Sequence, residues 1–248
     1  MSWRRLIIYY KSLMELFVRD YKLGEFPLIA GILTDRDNLP IDSDEMNAVD
    51  VIELRVDMFG STESSHVKNV FKDVRARYNK PILATVREVR EGGDKDIADR
   101  MDIYRGIIPL ADLVDVEIAS VDLFPQIRTL CSTFKKVLIG SYHNFDSTPD
   151  HDFLDGIVRQ GEGCGSDVVK IAVRATCRED LIGFIDFAIS NRDKGLITIA
   201  MGDYGLPSRI ITPLFGSPIT YGYVKTASAP GQLSVLETMA IFRKLKMR

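Results

Sequence analysis

Eight short apolar runs, rich in Val, Ile and Leu, recur along the chain with longer segments between them. They are PLIAGIL (27–33), DVIELRVD (50–57), PILATVR (81–87), LVDVEIA (113–119), KVLIGSYH (136–143), DVVKIAV (167–173), LITIAM (196–201) and ITYGYVK (219–225). Each has the length of a strand, and each is apolar enough to be covered on both faces. The segments between them carry helical periodicity. Residues 62–78 place Val67, Val70, Phe71 and Val74 on one face, and residues 178–191 do the same with Leu181, Ile182, Ile185 and Ile189. The segment 231–246 adds Leu233, Leu236, Ala240 and Leu245. Ser43 before an acidic turn, and Thr148-Pro149-Asp150, read as helix starts.

Strict alternation of strand and helix implies parallel pairing with right-handed crossovers, and eight such units close into a (β/α)8 TIM barrel. The competing fold is an open doubly wound sheet, which places a Gly-rich turn directly after its first strand. Here GILTDRDN follows instead, and the GEGCG cluster at 161–165 precedes a strand, where it reads as a helix C-cap and turn. No Pro/Gly/Ser linker or charge run divides the chain, so residues 27–248 are expected to form a single barrel domain.

Residues 1–26 lie outside the repeat. Arg4-Arg5 followed by LIIYY imitates a signal peptide, but Lys11, Glu15 and Arg19 interrupt the apolar run and no small-residue cleavage site follows. Leu6, Tyr10, Leu13, Leu16 and Phe17 fall near helical spacing, so a short amphipathic helix is expected, with an extension that does not order as the alternative.

Composition narrows the function. Thirty-two basic residues against thirty-five acidic ones leave a formal charge of −3, without the positive excess that nucleic-acid phosphates require. No run approaches a membrane span. Cys131, Cys164 and Cys177 are odd in number, widely spaced and without a CxxC, as expected of thiols in a reducing cytoplasm. Three scattered histidines provide no metal-ligand spacing.

In a barrel the chemistry sits at the C-terminal ends of the strands. Glu53, Arg55 and Asp57 alternate with apolar neighbours in the second run and so share a face. Arg87 ends the third run and Glu91-Gly92-Gly93 follow it. Glu117 lies in the fourth, His143 ends the fifth, and Lys170 sits within DVVKIAV. A lysine in an apolar strand needs a partner or a purpose. One reading is an ion pair with an interior carboxylate, or a register that turns the side chain outward. The other is an amine kept uncharged by burial and by the nearby cations Arg55 and Arg87, and therefore able to attack a ketone. His143 on the same rim can move protons near neutral pH, whereas His66 and His151 read as surface residues. Arg209, after the seventh strand, suits a carboxylate, and Ser228 and Gln232, after the eighth, suit hydroxyls or a carboxylate. These two loops read together as a lid.

The motifs ELRVD (53–57), TVREVREGG (85–93), SYHNFDSTP (141–149), VVKIAV (168–173), SRI (208–210) and YVKTASAPGQ (223–232) together resemble the type I 3-dehydroquinate dehydratase family, in the family's order and over residues 27–245. The resemblance implies a (β/α)8 barrel that converts 3-dehydroquinate to 3-dehydroshikimate in the shikimate pathway, without metal or organic cofactor, in a cytoplasmic homodimer. By motif, Lys170 would be the Schiff-base lysine, His143 the general acid/base and Glu91 the residue that orients it. Glu53, Arg55, Arg87, Arg209, Ser228 and Gln232 would bind substrate. Asn144 stands where many members carry Asp, and the loop MGDYGLPSRI is the chain's own. Another Schiff-base lyase of the class I aldolase type, or a binding protein on a barrel scaffold, are the rival readings.

Overall fold

A computed structural model describes residues 15–37, 43–227 and 231–248. Eight parallel strands form one sheet: β1 (Leu28–Leu33), β2 (Val51–Arg55), β3 (Ile82–Thr85), β4 (Leu113–Glu117), β5 (Val137–Asn144), β6 (Val168–Arg174), β7 (Ile197–Met201) and β8 (Ile219–Tyr223). Successive strands pair in parallel, and β8 pairs back onto β1. The ladder does not continue between β7 and β8, so the eight strands form a nearly closed barrel.

One helix follows each strand: α1 (Ser43–Ala48), α2 (Ser64–Arg77), α3 (Arg100–Ile107), α4 (Phe124–Phe134), α5 (His151–Gly163), α6 (Arg178–Ser190), α7 (Ser208–Leu214) and α8 (Val235–Lys244). Side-chain oxygens satisfy the first free N–H groups of several. Asp150 accepts from Phe153 N at the start of α5, and Ser234 with Glu237 forms a capping box on α8. Six of the strands are shorter than the apolar runs, by up to three residues. Asp57 and Arg87 therefore lie just past the ends of β2 and β3, in the loops that form the rim.

Period-two alternation divides the apolar residues into two cores. Outward-facing side chains such as Ile52, Ala84, Val114, Leu138, Ile171 and Ala200 pack with Phe71, Phe124, Phe184, Phe187 and Phe242 of the helices. Inward-facing Leu28, Val51, Leu83, Leu113, Val137, Val168, Ile197 and Ile219 fill the lower part of the barrel. The interior then changes character along the strands: apolar residues at the N-terminal ends give way to Glu53, Asp115, Glu117, Ser141 and Lys170 toward the other end.

The expected N-terminal helix rests mainly on residues that are not described, and only the segment that follows them can be placed. Residues 1–14 lie outside the described residues. Phe17–Val18 and Tyr21–Lys22 pair antiparallel as a small hairpin, with Arg19 in a left-handed turn conformation at φ 51°. Val18 and Leu23 are buried in the lower barrel core, with Leu16, Tyr21 and Phe26 packed on them.

Candidate active site

At the C-terminal end of the strands, a single cavity is lined by Glu53, Arg55, Arg87, Glu91, His143, Lys170, Arg209 and Gln232, with Phe145, Met201 and Tyr221 among its walls. The structure thus brings together every candidate residue except Ser228, which lies outside the described residues. Among the described residues, no group of three or more His, Cys, Asp and Glu side chains is placed to hold a metal ion.

Lys170 is central. It faces into the barrel from β6, opposite Ser141 of β5 and Ile197 of β7 in register, and it is 5% exposed. Its Nζ donates to Asp115 Oδ2 at 2.9 Å and sits 4.2 Å from the centre of the Tyr221 ring. The slipped-register reading is therefore excluded. The expectation that Arg55 and Arg87 leave unbalanced positive charge beside this amine is also corrected, because carboxylates neutralise both. Arg55 donates to Asp57 through Nε at 2.9 Å and Nη2 at 2.7 Å. Arg87 donates to Glu117 Oε1 at 2.8 Å, Ser141 Oγ at 2.8 Å and Asp115 Oδ1 at 2.9 Å. Lysine and arginine within an apolar barrel are tolerable because each has a partner.

Asp115 and Ser141 were not among the expected site residues, and Glu117 was expected at the rim without an assigned role, although Asp115 and Glu117 stand two apart in LVDVE and so share the inward face. Burial would raise the Asp115 carboxyl, but Arg87, Lys170 and the Ser141 hydroxyl hold it far below the ordinary carboxylate range. Glu117 is likewise held down, against burial, by Arg87 and Arg100, and it pairs with the Arg100 guanidinium. Glu53 accepts from Thr85 Oγ1 at 2.9 Å.

His143, nearly enclosed near the end of β5, has its Nδ1 3.0 Å from Glu91 Oε2. Burial, reinforced by the charges of Arg87 and Lys170, moves the imidazole well below its usual range, so it is neutral at physiological pH. Burial pushes the Glu91 carboxyl up to about 7, and Arg87 opposes this only in part. Glu91 ends a short 3-10 turn whose next residue, Gly92, adopts φ 84°. A side chain there would also meet Phe145 at 2.3 Å, so glycine is required for Phe145 to lie over the turn.

Arg209 differs from the other interior cations. It is 3% exposed, and its Nε and Nη1 donate to the backbone carbonyls of Gly231 and Tyr221 at 3.1 and 3.3 Å. It forms no ion pair with a carboxylate among the described residues, and burial alone lowers it to about 10, still charged at neutral pH. A guanidinium aimed by backbone into a cavity, with part of its fork left over, is built for an anionic group on a ligand.

Residues 33–247 match the family profile for type I 3-dehydroquinase. A 3-dehydroquinate dehydratase from Thermodesulfovibrio yellowstonii is 38% identical over 226 residues, which is 91% of this chain and 99% of that protein. Among solved structures, the 3-dehydroquinate dehydratase of Geobacillus kaustophilus superposes with TM-score 0.84 at 29% identity, covering 94% of this chain and 98% of that one. A type I 3-dehydroquinate dehydratase from Clostridium difficile, described as carrying covalently modified comenic acid, superposes with TM-score 0.83 at 27% identity, covering 93% and 98%.

Proposed function

The chain belongs to the type I 3-dehydroquinase family, and on that premise we propose that it dehydrates 3-dehydroquinate to 3-dehydroshikimate through an imine on Lys170. The observation that carries the reading is the meeting, in one cavity, of a buried lysine, a neutral histidine and an arginine that has no carboxylate partner among the described residues.

Arg209 holds the substrate carboxylate together with Gln232, while Glu53 and Arg55 engage ring hydroxyls. This fixes the ring so that its ketone meets Nζ, a positioning effect. Lys170 gives up a proton to neutral His143 and attacks C3. The carbinolamine loses its hydroxyl as water, protonated by His143, and leaves a cationic C=N. That cation draws electrons from C2, so His143, neutral again, removes the C2 proton and the enamine forms. The enamine pushes its electrons back through C2, C1=C2 forms, and the C1 hydroxyl departs with the proton held by His143. Water then hydrolyses the product imine and frees Lys170. One water is lost overall.

Glu91 accepts a hydrogen bond from the Nδ1–H of His143 and so keeps the Nε2 lone pair toward the substrate. The same dehydration places the protein in the shikimate pathway. A homodimer in the cytoplasm belongs to the same proposal. No helix among the described residues is long and apolar enough to cross a membrane.

The test is absorbance growth of the conjugated enone on adding 3-dehydroquinate. Lys170→Ala should abolish it while substrate still binds calorimetrically. Turnover by that variant at the parent rate would remove the lysine from the reaction.

A further inference from the structure

Asp115 divides its two oxygens between different tasks. Oδ1 accepts from Arg87 Nη2 at 2.9 Å and from Ser141 Oγ at 2.6 Å, which fixes the carboxylate in one orientation. Oδ2 accepts from Lys170 Nζ at 2.9 Å. The aspartate is fully buried on β4, and the Tyr104 hydroxyl, itself buried, donates to its backbone carbonyl at 2.7 Å. The Tyr221 ring face lies 4.2 Å from the same Nζ. The nitrogen is thus flanked by a fixed anion and a π face, and both favour a cation at that point.

Resting on the imine reading above, we propose that Asp115, aided by the ring of Tyr221, is a positioning residue that serves as the counter-ion of the protonated imine on Lys170. An imine draws electrons from C2 only while its nitrogen carries a proton. Each time charge returns to that nitrogen, when the carbinolamine loses water and when the C1 hydroxyl leaves, an N–H bond must persist and needs an acceptor in place. Asp115 Oδ2 is already there. Because the N–H of a C=N lies in the plane of the double bond, its direction toward Oδ2 also fixes the plane of the substrate ring.

Other charges surround this pair. Arg87 approaches from the end of β3, Glu53 and Arg55 from β2, Glu117 from β4, and His143 from β5 with Glu91 behind it. On β8 the Tyr221 phenol, which burial moves well above its ordinary range, remains un-ionised. The walls from β1 and β7 are Ile32, Ile199 and Met201. Arg87 and Glu117 are fixed to each other, and Arg55 is engaged by Asp57, so among the described residues Asp115 is the anion in direct contact with Nζ.

The experiment adds 3-dehydroshikimate, whose imine is conjugated and absorbs at longer wavelength when protonated, and titrates that band against pH. In Asp115→Asn the protonated band should be lost about 1–3 pH units lower than in the parent protein, as removal of an adjacent opposite charge requires. The kcat of Asp115→Asn relative to the parent at the same pH should fall steeply above neutrality and recover as pH is lowered. The C=N vibration of the parent imine in H2O and D2O at pH 8 needs no variant, so it decides the matter even if Asp115→Asn does not fold. A deuterium shift there reports an intact N–H. An imine that titrates identically in parent and variant, or a parent imine without a deuterium shift at pH 8, overturns the proposal. Absence of any imine in the parent would instead overturn the reading on which it rests.

Discussion

Glu91 Oε2 meets His143 twice, accepting the backbone N–H at 2.9 Å and lying 3.0 Å from Nδ1 of the ring. One carboxylate oxygen therefore sets both the backbone and the imidazole of the proton-transfer residue. Since burial pushes the Glu91 carboxyl up to about 7, the ionised acceptor is lost as pH falls through that value. The kcat of the parent should decline on the acid side of about 7, and Glu91→Gln should flatten that limb while lowering kcat about 10–100-fold, as loss of an orienting partner commonly does. A stopped-flow pH profile of both proteins checks this.

The same carboxyl affects stability with the opposite sign to most acids. Its folded value lies above the ordinary 4.5, so between these two values the folded state binds more protons than the unfolded state, and stability falls as pH rises. Urea midpoints measured between about pH 4.5 and 7 should show a shallower loss in Glu91→Gln than in the parent, which removes this titration.

Arg209 should act on binding rather than on the bond-breaking steps. Replacing it with Met removes a charge-assisted contact of about 1.5–3 kcal/mol, so substrate affinity should fall by about 10–150-fold. Arg209→Lys should restore little, because the fork also reaches the carbonyls of Gly231 and Tyr221. Calorimetric titration with the product, which shares the carboxylate, gives the affinities without turnover.

Glu117 links Arg87 and Arg100 beneath the cavity while almost completely enclosed. Glu117→Ala leaves two buried guanidiniums short of a partner and should cost about 3–5 kcal/mol. Leu23, wholly buried in the lower barrel core just after the hairpin, should cost about 2–5 kcal/mol on change to Ala. Chemical denaturation of each separates these losses from any effect on kcat.

The barrel was legible because its strands are apolar on both faces and so stand out from the helices between them. The site was legible where a polar residue breaks such a strand, as Lys170 does in DVVKIAV and Glu53 and Arg55 do in DVIELRVD. Asp115 follows the same rule in LVDVEIA, but which interior carboxylate meets Lys170 depends on the register between β4, β5 and β6, which local pattern does not contain. The hairpin at residues 17–22 was not legible. Its strands are two residues each, too short for a period of two, and Leu16 and Phe17 also fit a helical spacing with earlier residues. What holds it is the opening of the barrel, a tertiary feature that local pattern does not contain.

The claim on which the rest depends is a covalent bond between Lys170 Nζ and the C3 of the substrate. Treating the protein with 3-dehydroquinate and sodium borohydride, then mapping the digest by mass spectrometry, should find one reduced adduct, on Lys170, and none on the protein treated without substrate. Full turnover of 3-dehydroquinate with an unmodified Lys170 after borohydride, or an adduct on another lysine alone, would contradict it.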